Sequence, residues 1–362
     1  MPDLIHVLSD AVANQIAAGE VIQRPASVVK ELVENAVDAG ASSIRVMVKD
    51  AGKTLIQVVD NGTGMSASDA THCFGRHATS KITAAEDLFA IRTKGFRGEA
   101  LASVAAVAEV ELKTRREGDD LGTRVRISAS RIELREPVQT SKGTSIQVRN
   151  LFFNIPARRK FLKSDHTELR QIIQEFNHIA LTHPETEFLL IHNQTEILHL
   201  PPSNRKQRII RTFGKSLSNH LIPLETGTSI VHISGFIGKP EHARTKYGEQ
   251  FFFVNNRYVK LPFFHKAVMS GYERIIPPDH IPSYFIYLES DPAAIDVNIH
   301  PSKTEVKFED EKSVWQILLA SVREAIGRNN LSPSLDFSRE GVIDIPVLTR
   351  NTSVQVPLIE TD

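Results

Sequence analysis

The hydrophobic and polar positions of this chain follow two different periods, which predict a mixture of helices and strands. Apolar residues recur at helical spacing over residues 25–39, 98–108, 165–180, 262–272 and 314–328. Pro25 suits a first helical turn, and Gly40 stops the first helical pattern. Strands are predicted near residues 44–48, 54–59, 230–235, 251–254, 283–289 and 305–308. Additional strands are predicted between the second helix and about residue 148. This mixture is typical of an α/β fold.

Three stretches without periodicity divide the chain. Residues 61–96 are rich in Gly, Ser, Thr and Ala, and segments this long inside a domain are usually functional lids. The run PPSN at residues 201–204 is the best candidate linker. Residues 331–362 are interpreted as a linker or tail because Pro, Ser and Thr increase there. These divisions predict a first domain over residues 1–204 with a lid at about 61–98, and a smaller second domain over residues 205–330.

The composition is that of a folded chain, with 41% hydrophobic and 24% charged residues. No apolar run approaches the roughly 18 residues of a membrane helix, and the first residues lack the basic run of a signal peptide. Cys73 is the single cysteine, which excludes a disulfide framework and favours a reducing compartment. With 43 basic and 43 acidic residues the net charge is zero, which argues against a strongly basic nucleic-acid binder but permits local basic patches.

The predicted helix over residues 25–39 has a polar face opposite its apolar one. Glu31, Asn35 and Asp38 stand at positions i, i+4 and i+7 and therefore align on one side of the helix. A carboxylate can take a proton from water, and a carboxamide oxygen is a hard ligand for Mg²⁺. The alternative interpretation is the solvated polar face of an amphipathic helix.

Two glycine-containing runs follow predicted strands or precede a predicted helix. DNGTGM at residues 60–65 places Asp60 at a strand end, where its carboxylate could accept an exocyclic amine and the glycines permit close approach of a ligand. GFRGEAL at residues 95–101 opens a helix of small residues, whose free N–H groups suit an anion such as phosphate. The alternative interpretations are a strand-ending turn for the first run and a plain loop for the second.

The order of these motifs is more specific than any one of them. The chain has neither a P-loop, because Gly214-Lys215-Ser216 lacks the required upstream glycine, nor a GxGxxG dinucleotide fingerprint. The order of polar helix, DNGTGM, lid, GFRGEAL and Gly143-Thr144 resembles the nucleotide-binding fold shared by gyrase B, Hsp90, histidine kinases and MutL. A close resemblance to the MutL family covers about residues 4–328 and is carried by RHATSK at 76–81, GFRGEALAS at 95–103, NLFFNIPARRKFL at 150–162 and DVNIHPSK at 296–303.

The resemblance implies a role for each matching residue. Glu31 is implied to be the general base for water attack on the γ-phosphate of ATP, and Asn35 to hold Mg²⁺. Asp60 is implied to receive the adenine amine, with Gly64 and Thr144 completing the base pocket. The remaining implied nucleotide contacts lie in the lid and in the glycine loop: Thr79, Ser80, Lys81, Gly95, Arg97, Gly98, Glu99, Ala100 and Leu101.

The same resemblance implies two domains of known type. The first is a two-layer, helix-on-mixed-sheet ATP-binding domain of the Hsp90 and gyrase type. The second is a smaller α/β domain similar to domain 2 of ribosomal protein S5. Lys303 of the second domain is implied to reach the γ-phosphate, which would couple the nucleotide state to domain geometry.

Basic residues collect in the middle of the chain, where residues 151–215 contain ten basic and six acidic side chains. The resemblance implies DNA binding in a groove between paired copies, through phosphates and without base reading. The candidate contacts are Arg158, Arg159, Lys160, Arg257 and Lys260, with the basic group that includes Arg208 as a further candidate. The alternative interpretation of each side chain is ordinary solvated surface.

The expected function is an ATP-dependent switch in DNA mismatch repair. ATP binding is expected to pair two copies and to link a MutS-type mismatch-recognition protein to a downstream nuclease or helicase. The alternative is a nucleotide-gated DNA clamp or scaffold in which slow hydrolysis is incidental. A histidine kinase is disfavoured because only three residues precede the family match. The chain resembles an N-terminal fragment without an endonuclease motif, so no nicking by it is expected, and a cytoplasmic, nucleoid-associated bacterial location is expected.

Overall fold

The computed structural model describes residues 10–81, 93–95, 98–296 and 306–331. The helices in these residues are α1 (Asp10–Val21), α2 (Pro25–Asp38), α3 (Asp69–His72), α4 (Ala100–Val107), α5 (Pro156–Phe161), α6 (Asp165–Ala180), α7 (Arg205–Phe213), α8 (Pro262–Gly271) and α9 (Glu311–Leu331). The strands are β1 (Ser43–Lys49), β2 (Leu55–Asp60), β3 (Glu109–Arg115), β4 (Gly122–Ser128), β5 (Arg131–Val138), β6 (Gly143–Arg149), β7 (Glu187–His192), β8 (Thr195–Leu200), β9 (Leu221–Gly227), β10 (His232–Gly238), β11 (Gln250–Val254), β12 (Arg257–Val259), β13 (Tyr284–Glu289), β14 (Ile295–Asp296) and β15 (Lys307–Phe308). None of these helices is long and apolar enough to cross a membrane.

The first sheet has the strand order β5-β4-β3-β6-β2-β1-β7-β8. Its neighbouring strands are antiparallel except for β1 and β7, which run parallel, so the sheet is mixed. The apolar side of α2 packs against α6 and against strands β1 and β2, and α1 packs against α4. Helices and strands share one hydrophobic core, in which Val29, Val33 and Ile56 are fully buried. The predicted two-layer, helix-on-mixed-sheet fold is confirmed.

The second sheet has the order β12-β11-β13-β10-β9, with β11 and β13 parallel and its other neighbours antiparallel. Helices α8 and α9 pack against each other, and α9 packs against β9. Phe264 and Leu318 lie in the core between these helices and the sheet. This arrangement fits the expected S5-like α/β fold.

An aromatic junction joins the two sheets and is defined here by Leu181, Phe251, Phe253, Phe285 and Tyr287. The Tyr287 hydroxyl donates to the Leu181 carbonyl at 2.9 Å, which ties the second sheet to the end of α6. In addition, the Tyr258 ring of β12 stacks on His178 of α6 with ring centroids 3.6 Å apart. These contacts dock strands β12 and β13 of the second sheet on α6.

Arg208 of α7 lies at this junction and is completely buried. One of its terminal nitrogens donates to the carbonyls of Pro184, Thr186 and Pro201 at 2.8, 2.6 and 3.2 Å. Because a guanidinium in this position cannot reach solvent, the prediction of Arg208 as a DNA contact is wrong. Its charge instead satisfies carbonyl groups that the fold buries.

Candidate functional site

A cavity of about 920 Å³ lies between α2, the end of β2 and the start of α4. It is lined by the predicted catalytic and nucleotide-binding residues Glu31, Asn35, Asp60, Gly64, Thr79, Ser80, Lys81, Gly95, Gly98, Glu99, Ala100, Leu101 and Thr144. The other two predicted residues, Arg97 and Lys303, lie outside the described residues. Motifs up to about 110 residues apart along the chain therefore come together around one volume.

Helix α2 supplies one wall of the cavity. Its apolar residues face the core, and the opposite side presents Glu31, Asn35 and Asp38 to the cavity. Pro25 begins this helix, since a first-turn residue needs no backbone N–H. The polar face of α2 therefore lines a cavity, which favours a binding site over the alternative of a solvated helix surface.

Asp60 stands where β2 ends, at what we call the base end of the cavity. In the sheet it pairs with Thr144 of β6, so backbone register sets its position. Its Oδ1 accepts a hydrogen bond from the Gly62 N–H at 2.9 Å. Burial raises the pKa of Asp60 to about 6, against which the N–H groups of Gly62 and Thr144 act by favouring the carboxylate.

Close backbone approach at the base end depends on two glycines with positive φ. Gly143 has φ +107°, and a Cβ there would lie 2.1 Å from the Asp60 carbonyl oxygen. Gly64 has φ +68°, and a Cβ there would lie 2.1 Å from the Arg115 carbonyl oxygen. No other residue type could occupy either position without moving the backbone.

Thr114 of β3 stabilises the base end through hydrogen bonds. Its fully buried hydroxyl accepts from the Met65 N–H at 2.9 Å. The same oxygen lies 3.1 Å from the Gly143 carbonyl and 3.0 Å from the Thr144 hydroxyl. One side chain thus connects the DNGTGM run to the start of β6.

The opposite end, near Asn35, Lys81 and Gly95, is named the phosphate end after the predicted nucleotide contacts and is held by side-chain contacts. Lys81 Nζ lies 3.0 Å from Asn35 Oδ1 and 2.6 Å from Asp38 Oδ2. Asp38 also accepts from the N–H groups of Lys94 and Gly95 at 2.9 and 3.1 Å. Its carboxylate therefore joins helix α2 to both segments that border this end.

The start of α4 faces the same end. Glu99 is the N-cap of α4 and makes no side-chain capping hydrogen bond. Gly98, with φ +65°, lies against Ala78, where a Cβ would be 2.6 Å from the carbonyl oxygen. The first N–H groups of α4 are thus left without a side-chain cap beside residues 78–81, an arrangement that suits an anion.

The side-chain oxygen atoms at this end provide only part of a site for a divalent cation. Asn35 and Asp38 offer hard oxygen atoms, and the Lys81 ammonium shows that a cation is accepted beside them. In the described ranges no group of three or more His, Cys, Asp or Glu side chains could hold a metal. Asn35 therefore fits a Mg²⁺ ion only when further oxygen ligands, such as phosphates, come from a bound molecule.

Two family models match the chain. Residues 23–154 match the histidine kinase-, DNA gyrase B- and HSP90-like ATPases, and residues 209–327 match the C-terminal domain of DNA mismatch repair proteins. The DNA mismatch repair protein MutL of Bacteroides fragilis is 58% identical over 359 residues, or 99% of this chain. MutL of Parabacteroides distasonis is 59% identical over 347 residues, or 96% of this chain. The chain belongs to the MutL family. It spans 57% and 56% of the length of these two MutL relatives.

Solved structures agree with the MutL assignment. The Aquifex aeolicus MutL ATPase domain complexed with ADP has a TM-score of 0.60 at 28% identity, covering 85% of this chain and 98% of that one. A crystal structure of the N-terminal domain of a DNA repair protein has a TM-score of 0.76 at 26% identity, covering 88% of this chain and 99% of that one. The family that the sequence motifs predict is confirmed.

The candidate DNA contacts of this MutL-family chain have different environments. Arg159 and Lys160 of α5 and Lys260 after β12 are exposed, so they stay predictions. Arg158 is half-buried, and its guanidinium lies against α1 where Gly19 has no side chain. Arg257 donates to the carbonyls of Thr93 and Lys94, which is an internal contact instead of the surface position expected for a DNA contact.

Several contacts in and beside the cavity could not be predicted from the sequence. Helical spacing puts Asp38 beside Asn35, but spacing cannot show that it accepts two backbone N–H groups. Thr114 lies in an ordinary alternating strand, and nothing in its sequence context marks it. Cys73 also lines the cavity, and burial with the nearby Asp69 raises the pKa of its thiol to about 12.

Proposed function

We propose that this chain binds Mg-ATP and hydrolyses it slowly as the ATPase part of a DNA mismatch repair switch. The observation that carries the proposal is the convergence of Glu31, Asn35 and Asp60 on one cavity of about 920 Å³. A base and a cation ligand are groups that suit phosphoryl transfer, and an amine acceptor suits the binding of adenine. The ADP bound to the Aquifex aeolicus MutL ATPase domain supports a nucleotide as the ligand.

Adenine is proposed to occupy the base end. The Asp60 carboxylate would accept the exocyclic amine, which leaves Gly64 and Thr144 to shape the pocket beside it. With a pKa of about 6, Asp60 is mostly ionised at pH 7 and is available as an acceptor. Its buried position strengthens that hydrogen bond, because little water competes there.

The phosphates are proposed to occupy the other end. The uncapped N–H groups of residues 98–101, together with Arg97, would hold them, and Thr79, Ser80 and Lys81 would cover them. Glu31 would take the proton of the attacking water, and Lys303 would contact the γ-phosphate. Asn35 fits Mg²⁺, which when bound neutralises phosphate charge.

For the whole protein, we propose a nucleotide-controlled homodimer. Its domains are proposed as residues 1–204 and 205–330, with a lid near residues 61–98. ATP binding would pair two copies around DNA, and the pair would connect a MutS-type mismatch-recognition protein to a downstream nuclease or helicase. Support comes from the MutL relatives, and the exposed Arg159, Lys160 and Lys260 offer phosphate contacts.

The decisive experiment measures phosphate release and nucleotide binding together. Wild-type chain should release phosphate slowly from Mg-ATP, whereas Glu31→Ala should bind ATP but lose at least about a hundredfold in turnover, as expected for loss of a general base. The exposed Glu273→Ala variant is the matched control and should behave as wild type.

Two outcomes would change the proposal. If wild type and Glu31→Ala both bind and neither hydrolyses, the nucleotide-gated clamp or scaffold replaces the ATPase. If neither binds ATP, the assignment of the cavity is wrong. A repair assay with Glu31→Ala in the full-length protein then shows whether hydrolysis matters, since retained repair would favour the scaffold.

A further inference from the structure

Residues 93–95, which precede the glycine loop, are held from two sides by different parts of the molecule. On the α2 side, both oxygens of the Asp38 carboxylate accept backbone N–H groups, from Lys94 at 2.9 Å and from Gly95 at 3.1 Å. On the other side, one terminal nitrogen of Arg257 donates to the Thr93 carbonyl at 3.1 Å and to the Lys94 carbonyl at 2.9 Å. We call this arrangement the 93–95 clamp.

Arg257 reaches the clamp from the second sheet. It opens β12, directly after a turn in which Asn255 and Asn256 have φ of 45° and 62°. The next residue, Tyr258, stacks on His178 of α6. The hairpin tip is therefore anchored on the first domain at two successive residues, and the direction of the Arg257 side chain follows from that docking.

The Lys94 side chain strengthens the same junction. It is only 7% exposed, and its Nζ donates to the Thr182 hydroxyl at 3.4 Å and to the Asn256 carbonyl. Burial lowers the pKa of Lys94 to about 8, although the nearby Glu34 charge acts in the opposite direction. Glu34 is itself only 5% exposed, and burial raises its pKa. A buried ammonium group needs polar partners, and Thr182 after α6 and the hairpin carbonyl of Asn256 supply them to Lys94.

We propose that Arg257 is a positioning residue for the phosphate end of the nucleotide cavity. By holding the carbonyls of residues 93 and 94, it fixes the backbone of Gly95, which lines the cavity next to Asn35 and Lys81. The inference rests on the proposed nucleotide function and adds a dependence on the second sheet. Arg257 lines no part of the cavity itself and acts through the backbone of residues 93–95.

This arrangement predicts that the two ends of the cavity respond differently to the loss of Arg257. Loss of the Arg257 contacts should disturb Gly95 and the neighbouring Lys81 and Asp38, but Asp60 and Thr144 are positioned by sheet register and should not move. By thermodynamic linkage, nucleotide binding should in turn stabilise the contact between Arg257 and residues 93–95.

The test compares Arg257→Gln with Lys266→Gln, an exposed lysine on α8 of the same sheet's helical layer. Dissociation constants are measured for ATP, ADP and adenosine, the last by ligand-observed NMR. In Arg257→Gln the affinity for ATP and ADP should fall about tenfold, the size expected for lost charged hydrogen bonds. Adenosine affinity should stay within about twofold, and Lys266→Gln should match wild type for all three ligands.

Hydrogen exchange locates the effect. Amide exchange at Lys94 and Gly95 should be faster in Arg257→Gln than in wild type, and the exchange at Asp60 and Thr144 should not change. Arg257→Lys keeps a positive charge near Glu34 and should give a smaller loss confined to ATP and ADP. If Arg257→Gln does not fold, this second variant decides the question by the same comparison.

Three results would overturn the inference. Unchanged ATP affinity in both Arg257 variants would remove the positioning role and leave the proposed nucleotide function intact. An equal loss for adenosine and ATP would show general damage to the fold. A wild-type chain that binds no nucleotide would overturn both this inference and the proposed function.

Discussion

The two ends of the cavity are built by different means. At the base end, Asp60 and Thr144 face each other as paired strand residues, and the Thr114 hydroxyl ties their strands to Met65. At the phosphate end, positions depend on side chains, chiefly Asp38 with its contacts to Lys81 and to the N–H groups of Lys94 and Gly95. Backbone pairing in the sheet therefore holds the base end, whereas side-chain hydrogen bonds that can change partners hold the phosphate end.

This difference would suit the proposed nucleotide function, in which the base stays the same while the number of phosphates changes. A sheet ladder changes little when a ligand arrives, because many hydrogen bonds would break together. A lysine that contacts an amide and a carboxylate can exchange one partner for a phosphate, because the phosphate replaces the lost charged hydrogen bond. Substitutions at the base end should accordingly have large, ligand-independent effects, and those at the phosphate end smaller and more conditional ones.

The largest effect is expected for Gly143→Ala at the base end. The new Cβ would lie 2.1 Å from the Asp60 carbonyl, at a φ of +107° that alanine rarely adopts. We expect a loss of about 3 kcal/mol or more in the free energy of unfolding, together with loss of nucleotide binding. Chemical denaturation and ATP titration measure both. Gly118→Ala, where nothing lies within 4 Å, should be nearly neutral, and equal stability of the two variants would contradict the clash.

The substitution Asp60→Asn is expected to raise the stability of the nucleotide-free protein and to lower its affinity for ATP. Because the folded pKa of about 6 lies above the ordinary 3.8, stability is lost as pH rises from 3.8 through 6 and stays lower above that range. A neutral amide avoids this cost, so the melting temperature of the nucleotide-free variant should rise at pH 8 and change little at pH 4. ATP affinity should fall about thirtyfold, since the adenine amine loses its charged acceptor. Lower stability with unchanged affinity would reverse both expectations.

The pH dependence of binding gives a smaller effect at the same carboxyl group. If adenine requires ionised Asp60, a pKa of about 6 predicts that ATP affinity falls about tenfold between pH 7 and pH 5. Phosphate titration adds its own slope, so the informative quantity is the ratio between wild type and Asp60→Asn across this range. A constant ratio would show that the protonation state of Asp60 does not control binding.

The smallest effect is expected for Lys81→Met at the phosphate end. Its ammonium contacts Asn35 and Asp38, but Asp38 keeps two backbone donors after the change. Stability should therefore fall by only about 1 kcal/mol, and ATP affinity by less than about fivefold at moderate salt. Thermal melts and titrations at two salt concentrations measure this. A loss of a hundredfold would mean that Lys81 is a main phosphate contact and that this end is as fixed as the base end.

Local patterns were sufficient for elements with clear start and stop signals. Helix α6 spans the predicted residues 165–180, and α2 begins at the predicted Pro25. Helix α7 is not among the predicted helices although its N-cap signal is present, because the sequence pattern assigns Asn204 to a linker. In the structure its side chain caps α7 by accepting from the Gln207 N–H at 2.9 Å. The helix has only three apolar residues, Ile209, Ile210 and Phe213, all in its C-terminal half, which are too few to show a helical period.

The site residues could be predicted because they lie in short sequence motifs. The residues that support them could not, because their roles depend on partners that are distant in the sequence. Asp60 stands at a strand end next to glycines, which is visible in the sequence. Thr114 has its role because β3 lies beside β6, and Arg257 because a hairpin from the second sheet reaches residue 93. A basic residue in a positive stretch is compatible with either a surface contact or an internal one, and Arg208 shows that only tertiary structure decides.

The parallel pairing of β1 with β7 has a consequence for the order in which the chain can fold. The ATPase family model ends at residue 154, yet β7 and helix α6, which cover β1 and α2, come only afterwards. A nascent chain that stops near residue 154 would leave one edge of β1 unpaired and would expose the part of the apolar side of α2 that α6 covers. All described lining residues of the cavity precede residue 147, yet the cavity gains a stable support only after about 200 residues have been synthesised.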